Sequence, residues 1–215
     1  MFGISLSIVL VTLFYMILGF VIRKMNKASE THLQTLSGIL IYICNPFLEI
    51  SAFMSLDFSV SETIEMLKFF IVSFFLQSIF MLILYLILRR KYSESKYRLL
   101  TIASVLGNVG FFGMPITRAL LPDNPEVACY CAVNMVTMNI LIFTVGVFCL
   151  TNNKKYISVK SALFNPTIFG FVIALPFYVF GIKNILPDTF IGAINTIADI
   201  QLLSVCLYLE FVSLL

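Results

Sequence analysis

The stretch "GNVGFFGMPIT", Gly107–Thr117, decides the fold. It lies inside an apolar segment long enough to be a helix, running from about residue 97 to 121. Yet it holds three glycines, an asparagine and a proline. Gly107, Gly110 and Gly113 each weaken a helix and bare its backbone. Pro115 lacks an N–H, and its ring clashes with the carbonyl of Phe111. The expected result is a span that unwinds near its middle. Backbone unwound at membrane depth is tolerated only where protein buries it or where it lines a watery cavity. Pro115 is also suited to the first turn of a second half-helix, because its missing N–H is unpaired there anyway. The positive end of that half-helix dipole would then sit at mid-depth, where it favours an anion. Asn108, seven residues before Pro115, adds an amide that donates to a carboxylate or caps a freed carbonyl. The competing reading is a small-residue stripe that only lets helices pack closely.

Outward from this stretch, the chain reads as an all-α polytopic membrane protein. Of its 215 residues, 60% are apolar and 12% charged, against about a quarter charged in soluble domains. Apolar runs of bilayer-crossing length fall at about 4–22, 33–56, 66–88, 97–121, 126–150 and 160–181, and a seventh begins near 186. The first is too long, and lacks the basic leader, for a cleaved signal peptide. The basic residues cluster after spans 1, 3 and 5. They are Arg23, Lys24 and Lys27; Arg89, Arg90, Lys91, Lys96 and Arg98; and Lys154, Lys155 and Lys160. The other connections carry Asp57, Glu62, Glu65, Asp123, Glu126 and Asp188. By the positive-inside rule the basic connections are cytoplasmic, the N-terminus is outside, and the protein is multi-pass in the cell membrane. The net charge of +3 is too small to suggest nucleic acid.

Span 6 starts on the side opposite to span 1. Five spans followed by a sixth of reversed sense fit an inverted repeat, though any odd-numbered block gives that parity. The expected division is 1–150 for a first five-helix repeat and 151–215 for the start of a second.

Other intramembrane polar groups are more open. Glu49, three residues after Pro46, is either a proton or cation site or a solvated carboxylate near the outer end. Asp199 is equally open. Gln77 reads as an interhelical hydrogen bond, and Arg118 as a cation that snorkels to the exterior. Cys129 and Cys131 form C-x-C without a nearby His or third Cys, so small apolar residues are the better reading than a metal site. No cofactor or metal is expected. His32 stands alone near the basic edge, and no nucleophile–base pair supports an enzyme.

The run "YRLLTIASVLGNVGFFGMPITRALL", with "AVNMVTMNILIFTVGVF", "NPTIFGFVIALPFYVFGI" and "NPFLEISAF", resembles the auxin efflux carrier family. The most specific part is N-V-G-F-F-G-M-P, Asn108 to Pro115. The resemblance implies a ten-helix fold of two inverted five-helix repeats, similar to bile-acid symporters and sodium/proton antiporters. It implies an efflux-type permease for small organic anions such as carboxylates, working by alternating access. Broken helices 4 and 9 would cross at prolines near the binding site. Carried over, Asn108, Gly110, Gly113 and Pro115 belong to the substrate crossover. Asn139 on span 5 is a further candidate by hydropathy alone, and Asn134 another. A homodimer is an open expectation. The alternative class is a seven-helix receptor or sensor with an external N-terminus, which leaves the glycine–proline cluster unexplained.

After Gln201 the chain departs from the family's pattern and reads "LLSVCLYLEFVSLL". Codon degeneracy lets the shifted frame encode T-P-L-S-(L/M/V)-F-I-F-G, the continuation the family would have. The expectation is an out-of-frame tail from about Leu202, leaving one repeat, one further full span and a ragged seventh. One repeat supplies half of a crossover, so this product alone is expected not to transport.

Overall fold

The computed structural model describes residues 2–25, 27 and 30–213; the side chains of 201–213, and of a few other positions, lie outside the description. The tail expected to be out of frame therefore falls among side chains that are not described, and residues 214–215 lie outside altogether.

The described residues are almost wholly helical. Helix α1 is Phe2–Lys24. The second pass comprises α2 (Glu30–Ile39), a π turn at Leu40–Cys44 and α3 (Asn45–Met54). The third is α4, Val60–Leu88. The fourth is α5 (Ser95–Ala103), an interruption, a π turn at Val109–Gly113 and α6 (Met114–Leu120). The fifth is α7 (Glu126–Leu141), a π turn at Ile142–Gly146 and α8 (Val147–Thr151). Short α9 (Val159–Leu163) and α10 (Pro166–Val179) make the sixth, and α11 (Asp188–Ser213) the last. Among the described residues, four continuous helical stretches are long and apolar enough to cross a membrane: Gly3–Lys24, Gln34–Met54, Val60–Lys91 and Glu126–Thr151. The lipid-type surface follows from composition: α1 and α4 turn Leu, Ile, Val and Phe outward along most of their length.

Two boundaries differ from the sequence reading for local reasons. Helix α4 starts six residues earlier than expected. Ser59 caps it, its hydroxyl accepting from the Glu62 N–H at 3.4 Å, with Glu62 in the first turn where the dipole favours an acid. The sixth pass is not one helix. Asn165 stops α9 and caps α10, its Oδ1 accepting from the Ile168 N–H at 3.0 Å, and Pro166 opens the new helix.

The core forms where α3, α7 and α10 meet, with α11 and α4 against it. Phe53, Met114, Ala132, Ala174 and Tyr178 are buried there. The closest approach is between α3 and α10. A Cβ added at Gly170 would lie 2.5 Å from the Pro46 Cα, so only glycine lets the two backbones pass.

The connections gather at two ends of the bundle. At the acidic end, Tyr178 Oη accepts from the Ser59 N–H at 3.2 Å and donates to the Ser59 carbonyl at 3.1 Å. Ser55 Oγ donates to the Pro125 carbonyl at 3.3 Å, and Lys183 pairs with Asp57 at 2.8 Å. At the basic end, Tyr92 Oη donates to Thr101 Oγ1 at 2.9 Å and its ring meets Tyr85 edge-on.

Candidate functional site

The fourth pass is interrupted, but one step earlier than its glycines and proline suggested. Ser104 ends α5, and residues 106–108 have no regular structure. The chain becomes helical again at Val109, not at Pro115. Asn108 precedes that restart, and its carbonyl accepts from the N–H groups of Phe112 at 3.3 Å and Gly113 at 3.0 Å. The i−5 bond from Gly113 widens the helix into the π turn. Pro115 follows two residues after the turn ends, inside the helix. Pro115 does stand in the first turn of α6, as expected; what differs is that the π turn before it carries the helical backbone back to Val109. A wider turn relieves the clash between its ring and the preceding carbonyls, so proline needs no full break. The unwound part takes the residues that cap best: Gly107 as a flexible link and Asn108 at the helix start.

This interruption borders a cavity of about 290 Å³. Asn108, Gly110 and Asn139 all line it, so three expected residues come together. Gly113, Pro115 and Glu49 are not among its lining residues. Asn45, Asn165 and Thr167 are. Asn45 Nδ2 lies 3.4 Å from Thr167 Oγ1, joining the second and sixth passes. The sequence signal for these residues was present as a repeated dipeptide, Asn45-Pro46 and Asn165-Pro166. Asn165 caps the start of α10, and Asn45 is the first residue of α3, directly after the π turn. Asn139 donates from Nδ2 to the Met135 carbonyl at 2.8 Å. No Lys or Arg is among the described residues that line the cavity. Any negative charge held there would rest on amide donors and on the half-helix dipole beginning at Val109.

The other sequence candidates separate. Asn134 accepts from Gln77 Nε2 at 2.7 Å and from Ser73 Oγ at 3.3 Å. Gln77 thus makes the expected interhelical bond, and it ties Asn134 into the α4–α7 contact. Glu49 is fully buried in α3, and neither carboxylate oxygen has a hydrogen-bond partner among the described residues. The solvated reading of Glu49 is removed. It lies along α3 between Asn45, which lines the cavity just described, and Ser51, which lines a second one. Cys129 donates to the Ala52 carbonyl at 3.1 Å, and Cys131 contacts Thr117 at 3.4 Å; both are packing residues with local partners.

Comparison with known proteins gives the family. Residues 4–162 match the family model described as membrane transport protein. An uncharacterized transporter of Methanocaldococcus jannaschii is 30% identical over 205 residues, which cover 91% of this chain. The chain spans 65% of that relative's length. A glycine-broken fourth pass opening on an amide-lined cavity, within a bundle of membrane-length helices, thus stands in a chain whose family is shown: it belongs to the membrane transport protein family, of the auxin efflux carrier type.

Proposed function

We propose that this chain forms the ligand-binding part of a secondary transporter for small organic anions such as carboxylates, with the interruption at 104–108 as the moving element. One observation carries the reading. The broken backbone opens on a cavity whose lining includes four asparagines, Asn45, Asn108, Asn139 and Asn165. Irregular backbone and amide donors at that depth are costly in a bundle that only packs. They suit a ligand that must lose water and regain hydrogen bonds. The assigned roles are donation by the Asn108 and Asn139 amides, and orientation of the carboxylate by the half-helix start at Val109–Gly110. Gly113 and Pro115 shape the helix behind that start and do not touch the ligand. Alternating access follows if the segment shifts relative to α3 and α10.

Glu49 is the proposed proton or coupling-cation site, supported by its full burial without a hydrogen-bond partner among the described residues. An ionisable group kept in that state has no packing use that glutamine would not serve. The membrane orientation expected from the basic clusters, and the two-repeat division at about residue 150, belong to the same proposal.

The test uses the purified chain in lipid nanodiscs, with succinate and phenylacetate as probes. At least one is expected to raise the melting temperature, and Asn108→Ala and Asn139→Ala each to reduce that shift by more than half. Equal shifts in all three proteins would remove the cavity from the reading. Glu49→Gln is expected to keep the ligand-induced shift and lose its dependence on pH. A pH dependence identical to that of the unaltered chain would remove Glu49 from coupling.

A further inference from the structure

A second cavity, of about 490 Å³, opens at the acidic end. It is bounded by the end of α3, the α6–α7 connection and the first turns of α11. It shares no lining residue with the asparagine cavity. Its volume is within the range of small-molecule sites.

Its polar groups are of two kinds. Arg118 enters from α6, and it makes no hydrogen bond or ion pair among the described residues. Asn195 and Asp199 enter from α11, one helical turn apart on the same face. The Asn195 oxygen is occupied, since Ser51 Oγ donates to it at 2.8 Å. That bond fixes the amide's orientation and leaves its N–H groups for another acceptor. Asp199 and Arg118 line the same cavity, yet the two are not in ion-pair contact. Arg118 is partly buried, whereas Asp199 is exposed and keeps its water, so the two gain little by closing on each other. Met54, Leu121 and Ile191 supply the apolar wall between them. A guanidinium and an amide N–H together match a carboxylate. The Asp199 carboxylate repels a second anionic group and attracts an ammonium.

We propose that this cavity is a second ligand site, separate from the asparagine cavity, and that it takes a small zwitterion of the amino-acid class. Arg118 and Asn195 bind the carboxylate, Asp199 binds the ammonium, and a short apolar side chain rests on Met54, Leu121 and Ile191. The sequence reading of Arg118 as a cation that merely snorkels outward misses this role, because the opposing charge comes from a helix some eighty residues later in the chain.

Calorimetric titration of the full chain in nanodiscs tests it with three probes that share the isobutyl group. L-leucine carries both charges, isocaproate only the carboxylate, and isoamylamine only the ammonium. Leucine is expected to bind, and each single-charge analogue to bind at least about ten-fold more weakly. This comparison needs no substitution and so does not depend on a variant folding. Arg118→Gln should weaken leucine and leave isoamylamine unchanged. Asp199→Asn should weaken leucine and leave isocaproate unchanged. Asn139→Ala, in the other cavity, should not alter leucine binding. Binding of isocaproate as tight as leucine, absence of leucine binding, or loss of leucine binding on Asn139→Ala would each overturn the proposal.

Discussion

Gly170 has the most constrained backbone contact among the glycines. Its missing side chain is what lets α10 lie on Pro46 of α3. Backbone cannot yield as a flexible side chain does, so Gly170→Ala is expected to cost roughly 1–3 kcal/mol of stability. Gly110 provides the contrast. An added Cβ there meets only the Met135 side-chain end, also at 2.5 Å, which can rotate away. Gly110→Ala should therefore cost less, about 1 kcal/mol or below. Thermal melting of both variants checks the pair; equal losses would mean the α3–α10 contact is looser than its geometry. At this scale the sequence showed what a residue carries more readily than what it meets. Asn108 and Asn139 were legible because a polar amide in an apolar span needs a reason. Asn45 and Thr167 were marked only by the repeated Asn-Pro dipeptide; their partnership was not legible, because it crosses 122 positions.

Helix interruptions were legible in kind and displaced in place. The glycines and proline of Gly107–Thr117 announced a broken pass, and the pass is broken. The proline is nonetheless inside the helix, because a π turn ahead of it absorbs its steric demand. The same arrangement occurs on the second pass. The π turn at Leu40–Cys44 ends two residues before Pro46, as that at Val109–Gly113 ends two before Pro115. Apolar periodicity did not reveal either turn, since spans apolar on most faces carry no marker for where one residue is added to a turn. The unwound link itself offers a test. Gly107 has open space around its Cβ position and is not among the positive-φ glycines. Gly107→Ala should raise the melting temperature, by about 0.4–1 kcal/mol of stability. If the interruption works by bending, the same change should lessen the shift given by succinate or phenylacetate. A stabilised protein with an undiminished ligand response would show that the link is a static feature.

Across the whole molecule, the two ends are fastened differently. The acidic end is held by Tyr178 on Ser59 and by the Lys183–Asp57 pair, whose Asp57 is largely exposed and so adds little. The basic end is held by Tyr92 on Thr101. Burial pushes the Tyr92 hydroxyl up to about 12, against an ordinary value near 10. With the folded value raised, this contribution is complete below the ordinary value and is lost only as pH climbs from about 10 toward 12. Tyr92→Phe should lower stability by about 0.5–1.5 kcal/mol at neutral pH and flatten that alkaline loss; an unchanged alkaline limb would assign it to other groups. The overall architecture was readable because apolar length and charge bias are properties of whole segments. The packing of α10 on α3 was not, since it joins the two blocks that parity had separated. That packing also has a consequence for biogenesis. The Asn45–Thr167 separation is 122 residues, so at about 5–20 residues per second the second pass waits on the order of ten seconds for its neighbour. Throughout that interval Asn45 and Glu49 lack the surface that will enclose them, and the nascent chain depends on the insertion machinery, or on α1, to shelter two polar groups from lipid.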